Sequence, residues 1–199
     1  SYSVTDTYPP TARIDEPTEG SYLSGKVNVM GFGSDDNFDK MQLFIDEVLV
    51  KTWTKAGSWV YVWDTTTLDD GSHTIKLVVY DKAENTKDES VTVTVDNTPP
   101  SIGTPTWSPE EPSADEEVTV NVTVTDLVSG IKNVTLWYRI DEEWLFIEMA
   151  PTNGYWTAVI PGQSKDTTVR FYIEAFDNAG NSAKTETYEY TVKTPAPFP

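Results

Sequence analysis

The chain has 199 residues, of which 32 are acidic and 14 basic, for a formal net charge of -18. This balance excludes nucleic acid and anionic membranes as partners, because both require a basic surface. The absence of Cys excludes disulfides, zinc–thiolate sites and a thiol nucleophile. No apolar run approaches the roughly 20 residues that span a bilayer, so no direct membrane insertion is expected.

A short motif near the start of the chain, an aspartate followed by a pair of prolines, recurs about ninety residues later. VTDTYPP occupies residues 4–10, and VDNTPP occupies residues 95–100. Residues 1–8, with Tyr2 and Val4 in one phase, are expected to be the last strand of a preceding domain in a longer array. The alternative is a donor strand that inserts into a neighbouring subunit, which is an established recognition mode.

Residues 9–97 form the first predicted domain. Apolar and polar side chains alternate there with a period of two, which is typical of half-buried strands. The predicted strands are KVNVMGF (26–32), KMQLFID (40–46), SWVYVWD (58–64), SHTIKLVVYD (72–81) and ESVTVTVD (89–96). Turn residues such as DDG at 69–71 separate them.

The second occurrence of this motif, VDNTPP, marks the predicted joint between the two domains. Pro99 and Pro100 hold their own φ angles, and Pro100 biases Pro99 toward an extended conformation. We therefore expect a short, stiff joint rather than a flexible tether.

Residues 98–194 form the second predicted domain, followed by a Pro-rich tail at 195–199. The predicted strands are EVTVNVTVT (117–125), VTLWYRI (134–140) and TVRFYIEAFD (168–177). About seven short strands per hundred residues indicate an antiparallel β-sandwich. The fold class is therefore all-β, with two tandem sandwich domains.

Several motifs resemble the bacterial immunoglobulin-like domains of prokaryotic surface and secreted proteins. They are WDTTTLDDGSHT (63–74), YDKAENT (80–86) and VDNTPP, while FYIEAFDNAGN (171–181) resembles the same superfamily or its fibronectin-III-like relatives. One departure is Glu84, where the family usually carries Gly. A backbone with φ > 0 would be strained by Glu, so a differently shaped turn is expected there.

The resemblance implies a non-catalytic, extracellular module of a bacterial or archaeal protein, often found in arrays. A spacer, a stalk or an adhesive segment is the leading expectation, with neighbouring immunoglobulin-like domains of the same chain or of other subunits as partners. The alternatives are a carbohydrate- or protein-binding accessory domain of a secreted hydrolase, and a self-assembling subunit of a surface fibre or surface layer (S-layer).

Calcium is the candidate cofactor. In this topology the loop after the second strand, the loop before the last strand and the incoming linker meet at one end of a domain. Calcium prefers about 6–8 oxygen ligands. The predicted inter-domain set is Asp96, Asn97, Asp126, Asp177 and Asn178, and the equivalent set in domain 1 is Asp6, Asp35, Asp36, Asp81 and Asn85. The alternative is structural, because Asp and Asn side chains also hydrogen-bond turn backbones.

An aromatic patch is the candidate binding surface. On strands expected to be neighbours, the outward phase holds Trp137, Arg139, Arg170, Tyr172 and Phe176. Three interpretations are open: the patch is a docking site for a protein, it is a platform on which a sugar ring stacks, or its Arg side chains pack locally over the aromatic rings.

Two further patterns concern modification and catalysis. Asn121-Val-Thr and Asn133-Val-Thr fit the acceptor pattern for N-glycosylation, and both asparagines lie on the outward phase of a strand. The sole histidine, His73, is expected to satisfy hydrogen bonds at a turn or strand end. No motif of a nucleotide-binding or metalloprotease site is present, and catalysis is not expected.

Overall fold

The computed structural model describes residues 6–193. Within that range the secondary structure consists of strands and one three-residue 3-10 helix, Thr65–Thr67. The chain divides into two compact units, with the boundary between Asn97 and Thr98. The predicted all-β class is confirmed. Residues 1–5, including Tyr2 and Val4 of the strand expected to end a preceding domain or to act as a donor strand, and the tail at 195–199 lie outside the described range.

The first unit packs two sheets against each other. Its described strands are β1 (Thr11–Glu16), β2 (Tyr22–Leu23), β3 (Lys26–Ser34), β4 (Phe38–Ile45), β5 (Val48–Trp53), β6 (Gly57–Asp64), β7 (Gly71–Asp81) and β8 (Thr86–Val95). One sheet has the order β1-β3-β6, and the other has the order β2-β8-β7-β4-β5. Only β2 and β8 pair in parallel among these strands.

Alternation places the core of this unit between its sheets. On β7, Ile75, Leu77 and Val79 are fully buried, and the residues between them are half-buried. Val29 and Trp59 supply the facing sheet. Because successive side chains of a strand point to opposite faces, one apolar phase on each strand is enough to build this core.

The second unit repeats the two-layer plan with shorter strands. They are β9 (Ser101–Ile102), β10 (Thr106–Ser108), β11 (Val118–Val122), β12 (Val124–Thr125), β13 (Ile131–Arg139), β14 (Leu145–Glu148), β15 (Ala150–Thr152), β16 (Tyr155–Ile160), β17 (Thr168–Asp177), β18 (Ser182–Lys184) and β19 (Tyr188–Thr191). One sheet has the order β10-β11-β16-β15. In the other, β14-β13-β17 is extended by β18 and β19, which both pair with β17, while β9 pairs with β12.

The predicted strand at 117–125 is divided in two. Val118, Val120, Val122 and Val124 all face the core, as the alternation predicts. However, β11 pairs with β10 and β16, whereas β12 pairs with β9. The strand changes partners at Thr123, whose carbonyl accepts the N–H of Gly103 at 2.8 Å. A single run of alternating residues therefore serves two sheets.

A differently shaped turn was expected at Glu84, and this expectation was wrong. The turn after β7, which contains Glu84, has the same shape as the matching turn of the second unit. Glu84 adopts φ +69°, close to the φ of +96° at Gly180 in the matching turn of the second unit. In both turns the aspartate at the strand end accepts the backbone N–H four residues later at 2.8 Å, from Asn85 in one unit and Asn181 in the other. These bonds hold Glu84 in the left-handed region despite its side chain.

Glu84→Gly is therefore expected to stabilise the first unit by about 0.5–1 kcal/mol, because relief of the left-handed strain outweighs the extra chain entropy of glycine. The reciprocal control, Gly180→Ala, is expected to destabilise the second unit by about 1 kcal/mol. Urea unfolding of both variants measures these changes. Equal stability of Glu84→Gly and the wild type would show that the turn carries no strain.

Candidate functional site

Three acidic side chains of the first unit converge at one end of the sandwich. Asp6 precedes β1, Asp35 follows β3, and Asp81 ends β7. Their carboxylate oxygens lie within 4.8 Å of one another. The sequence predicted these three residues to lie together, whereas the cluster does not include Asp36, which lines the same open cleft.

Hydrogen bonds already occupy part of this cluster. Asp81 is buried and accepts the N–H groups of Ala83 and Asn85 on one oxygen and the Asn85 side-chain amide on the other, at 2.7–2.8 Å. The Asn85 amide also donates to the Asp6 carbonyl at 3.1 Å. Asn85 thus presents its donor, not its oxygen, to the cluster. For Asp81 these contacts match the structural alternative, in which carboxylates anchor turns.

A residue that the sequence analysis missed completes this arrangement. The Asn37 side-chain amide donates to Asp6 at 2.8 Å, and its backbone N–H donates to Asp35 at 2.7 Å. The hydrogen bonds from Asn37 and from the Tyr8 backbone hold the pKa of Asp6 below its ordinary value, despite a small opposing effect of burial. Asp6 therefore stays ionised at neutral pH, so the cluster is negatively charged.

The second unit carries three of the five residues of the predicted inter-domain set, Asp126, Asp177 and Asn178. Carboxylate oxygens of Asp126 and Asp177 lie within 4.8 Å of each other, and Asp177 is fully buried. Asp126 accepts the N–H groups of three successive residues, 128–130, at 2.7–3.1 Å. The Asn178 side-chain amide donates to the Ser129 carbonyl at 2.8 Å, so this amide also serves as a donor.

The remaining two predicted ligands, Asp96 and Asn97, belong to the first unit. Asp96 is fully buried, and its N–H donates to the Leu23 carbonyl at 2.9 Å. The Asn97 side-chain oxygen accepts the Gly25 N–H at 2.9 Å and the Thr65 hydroxyl at 3.1 Å. Asn97 is therefore used to anchor the end of the unit, and a calcium site shared across the joint stays a prediction.

Calcium at the Asp6–Asp35–Asp81 cluster is tested by thermal unfolding. At a calcium concentration tenfold above the dissociation constant, binding would stabilise the unit by about 1.4 kcal/mol and raise its midpoint by about 5–10 °C. Asp35→Asn is expected to abolish this response, and Asp36→Asn, the matched control outside the cluster, is expected to keep it. If the thermal midpoint is the same in about 1 mM EDTA and in about 5 mM CaCl₂, calcium does not bind at this cluster.

The outward aromatic residues of the second unit contact one another. Trp137 and Tyr172 stack at 6.2 Å between ring centroids, with planes 13° apart. Trp144 meets Tyr172 edge-on at 4.8 Å, Phe146 lies 5.5 Å from Trp137, and the Arg139 guanidinium lies 4.9 Å over Trp144. The sequence analysis missed Trp144 and Phe146, because Trp144 lies in the loop before β14, and β14, which carries Phe146, is short and shows no clear alternation.

This arrangement favours local packing over a flat platform. The rings of Trp137 and Tyr172 stand against each other, and both residues are half-buried. Arg170 is exposed and pairs with Glu189 at 3.1 Å, and Phe176 lies opposite Asn133. A role of this patch in binding a sugar or a protein stays a prediction.

The two glycosylation candidates differ in accessibility. Asn133 is exposed on β13. Asn121 is half-buried on β11, and its side-chain oxygen accepts the Thr157 hydroxyl at 2.7 Å. Attachment of a glycan at Asn121 would have to break that bond, so Asn133 offers the less hindered acceptor.

His73 links two loops of the first unit, as expected for a residue with a structural role. Its Nδ1 lies 2.6 Å from the Asp46 carboxylate, and its Nε2 lies 2.8 Å from the Asp69 carbonyl. Both partners are acceptors, so only the protonated ring donates both bonds. Partial burial lowers the pKa of His73, but these hydrogen bonds and the charges of Asp46 and Asp69 outweigh it and raise the pKa above its ordinary value.

The raised pKa predicts a stability that depends on pH. A group whose pKa is higher in the folded state contributes its full stabilisation below the unfolded pKa of about 6.5 and loses it as pH rises through the folded value. The midpoint of the first unit is therefore expected to fall as pH rises above about 6.5. His73→Gln is expected to flatten this dependence in thermal scans from pH 5 to 9, and an identical slope in the variant would contradict it.

Comparison with solved structures supports the fold. The fibronectin(III)-like modules of CbhA from Clostridium thermocellum superpose with a TM-score of 0.55 at 14% identity, over 92% of this chain and 95% of that one. The I67–I69 fragment of titin gives 0.56 at 16% identity, over 96% and 68%. The FN1–FN3 domains of chicken CNTN1 give 0.52 at 10% identity, over 94% and 68%. Both units are thus immunoglobulin-like or fibronectin-III-like sandwiches.

Comparison with protein families confirms the resemblance and extends it. No curated protein matches the chain. Residues 10–77 match the family described as bacterial Ig domain, as the motifs of the first domain predicted. The match in the second half is longer and runs from residue 94 to residue 199. Since this match covers more than half of the sequence, the chain belongs to the family described as domain of unknown function DUF7743, and its first unit is similar to bacterial Ig domains.

Proposed function

We propose that the chain is a non-catalytic spacer segment of an extracellular prokaryotic protein, in which immunoglobulin-like units follow one another through short, stiff joints. The observation that carries this proposal is that two similar segments, each with an aspartate followed by a pair of prolines, lead into the two units. Asp6-Thr7-Tyr8-Pro9-Pro10 precedes β1, and Asp96-Asn97-Thr98-Pro99-Pro100 precedes β9.

The joint leaves little free chain between the units. β8 ends at Val95 and β9 begins at Ser101, so five residues connect them. The first part of this segment is fixed, because the Asn97 N–H donates to the Asp70 carboxylate at 2.8 Å and the Asn97 side chain is bound to Gly25 and Thr65. Pro99 and Pro100 restrict the rest. A connection of this kind suits modules that hold other domains at a set spacing.

Composition and chemistry fit the same role. An excess of acidic residues keeps such a segment solvated, and folding without Cys requires no oxidising machinery. Both ring nitrogens of His73, the sole histidine, lie at acceptors, so neither is available as a base for a nucleophile. Among the described residues, no helix has the length and apolar character to cross a bilayer.

The stiffness of the joint is tested by spin labels. Because the chain has no Cys, Lys87→Cys and Lys184→Cys place one exposed label in each unit. Pulsed electron–electron double resonance is expected to give a narrow distribution of distances between the two labels. Adding Pro99→Gly and Pro100→Gly to the labelled chain should broaden this distribution clearly. A wild-type distribution as broad as that of the glycine variant would refute the spacer role.

A further inference from the structure

Strand β6 forms an open edge of its sheet. It pairs with β3 on one side, and no other strand of the described residues pairs with its second side. In an antiparallel sheet, alternate residues direct their N–H and C=O groups to opposite sides of the strand. About four of the eight residues of β6 thus offer unpaired backbone groups to an incoming strand.

β6 lacks the protection that the other described edges have. Edge strands resist pairing when they are short, charged, bulged or interrupted by Pro. In the first unit, β2 has two residues, β1 carries Arg13 and two acids and is bulged, and β5 carries Lys51. The edge strands of the second unit have two to four residues each. β6 runs from Gly57 to Trp63 without a charge.

The outer face of β6 is apolar and exposed. Val60 and Val62 are 55% and 58% accessible. The sequence around them, Trp59-Val60-Tyr61-Val62-Trp63, is the same in both directions. A strand of this kind is complementary to a second copy of itself in antiparallel orientation.

We propose that β6 is a homodimer interface, in which two copies of the chain pair their β6 strands antiparallel about a two-fold axis at Tyr61. This register places Val60 opposite Val62 of the second copy and Tyr61 opposite its own equivalent. It joins two three-stranded sheets into one continuous sheet of six strands. The interface is isologous, as in most two-fold dimers, and it is independent of the proposed spacer role.

The polar ends of the strand complement each other in the same register. On the outer face, Ser58 lies opposite Asp64 of the second copy, so a hydroxyl donor meets a carboxylate. The N-terminal end of β6 carries the exposed Lys55, and the C-terminal end is followed by Asp69 and Asp70. Antiparallel pairing brings the basic end of each copy to the acidic end of the other, whereas parallel pairing would place like charges together.

The groove beside β6 gives a second reason for an occupant at this edge. It opens between the two sheets of the unit and is lined mainly by apolar side chains, including Val48, Val50, Tyr61, Trp63 and Leu68. Val48 is 64% accessible. In the proposed dimer Tyr61 of the second copy lies at the mouth of this groove, so pairing of the backbones also covers apolar surface.

The dimer is expected to be weak and to depend on salt. One strand pair buries less surface than a standard stable interface, and two chains of net charge -18 repel each other. Screening of that repulsion favours association. Sedimentation equilibrium of the intact chain is expected to show a monomer–dimer equilibrium that shifts toward dimer between about 50 mM and 500 mM NaCl.

Two variants test the register. V60K/V62K places lysine opposite lysine at both cross-strand positions and is expected to weaken association by about tenfold or more. V60K/V62E places lysine opposite glutamate at both positions in the antiparallel register and is expected to retain the dimer. In a parallel pairing with the same residues aligned, V60K/V62E would instead oppose like charges.

The control is V159K, which places the same charge on an exposed valine of the second unit and is expected to leave association unchanged. Thermal midpoints of all variants confirm that each is folded. A chain that stays monomeric at about 1 mM and 500 mM NaCl overturns the proposal. Equal association of V60K/V62K and the wild type overturns it as well, and loss of the dimer in V60K/V62E overturns the antiparallel register.

Discussion

The buried carboxylate at the end of a long central strand is the interaction on which both units depend. Asp81 and Asp177 are 2% and 0% accessible, and each accepts the backbone N–H four residues later. A buried charge without partners would be costly, so the following turn must supply donors. This requirement fixes the shape of the turn and returns the chain to the sheet. It also explains why Glu84 tolerates a left-handed backbone.

The long strands and their buried phases could be predicted from alternation alone. Val134, Leu136 and Tyr138 on β13 face the core, as the period of two requires. Short strands were not predictable, because two to four residues such as those of β9 and β18 show no period. The division at Thr123 was not predictable either, since a change of pairing partner leaves the alternation unchanged.

The sequence also indicated which acidic residues would meet, because each follows or precedes a strand at the same end of the sandwich. Asp6, Asp35 and Asp81 lie together for that reason. It did not show how the amides would be used: Asn85 and Asn178 turn their donors toward oxygen atoms. The orientation of an amide depends on local hydrogen bonds, and the aromatic contacts of Trp144 depend on a short loop. Neither leaves a periodic signal in the sequence.

The way in which Asn97 is anchored also has a mechanical consequence. Its bonds to Gly25, Thr65 and Asp70 join the end of the first unit to three separate positions earlier in the chain. Beside it, β8 pairs in parallel with β2 through Tyr22 and Leu23. Tension applied to the chain through residue 98 would therefore be shared by several bonds loaded in shear, rather than opening the terminal strand one bond at a time.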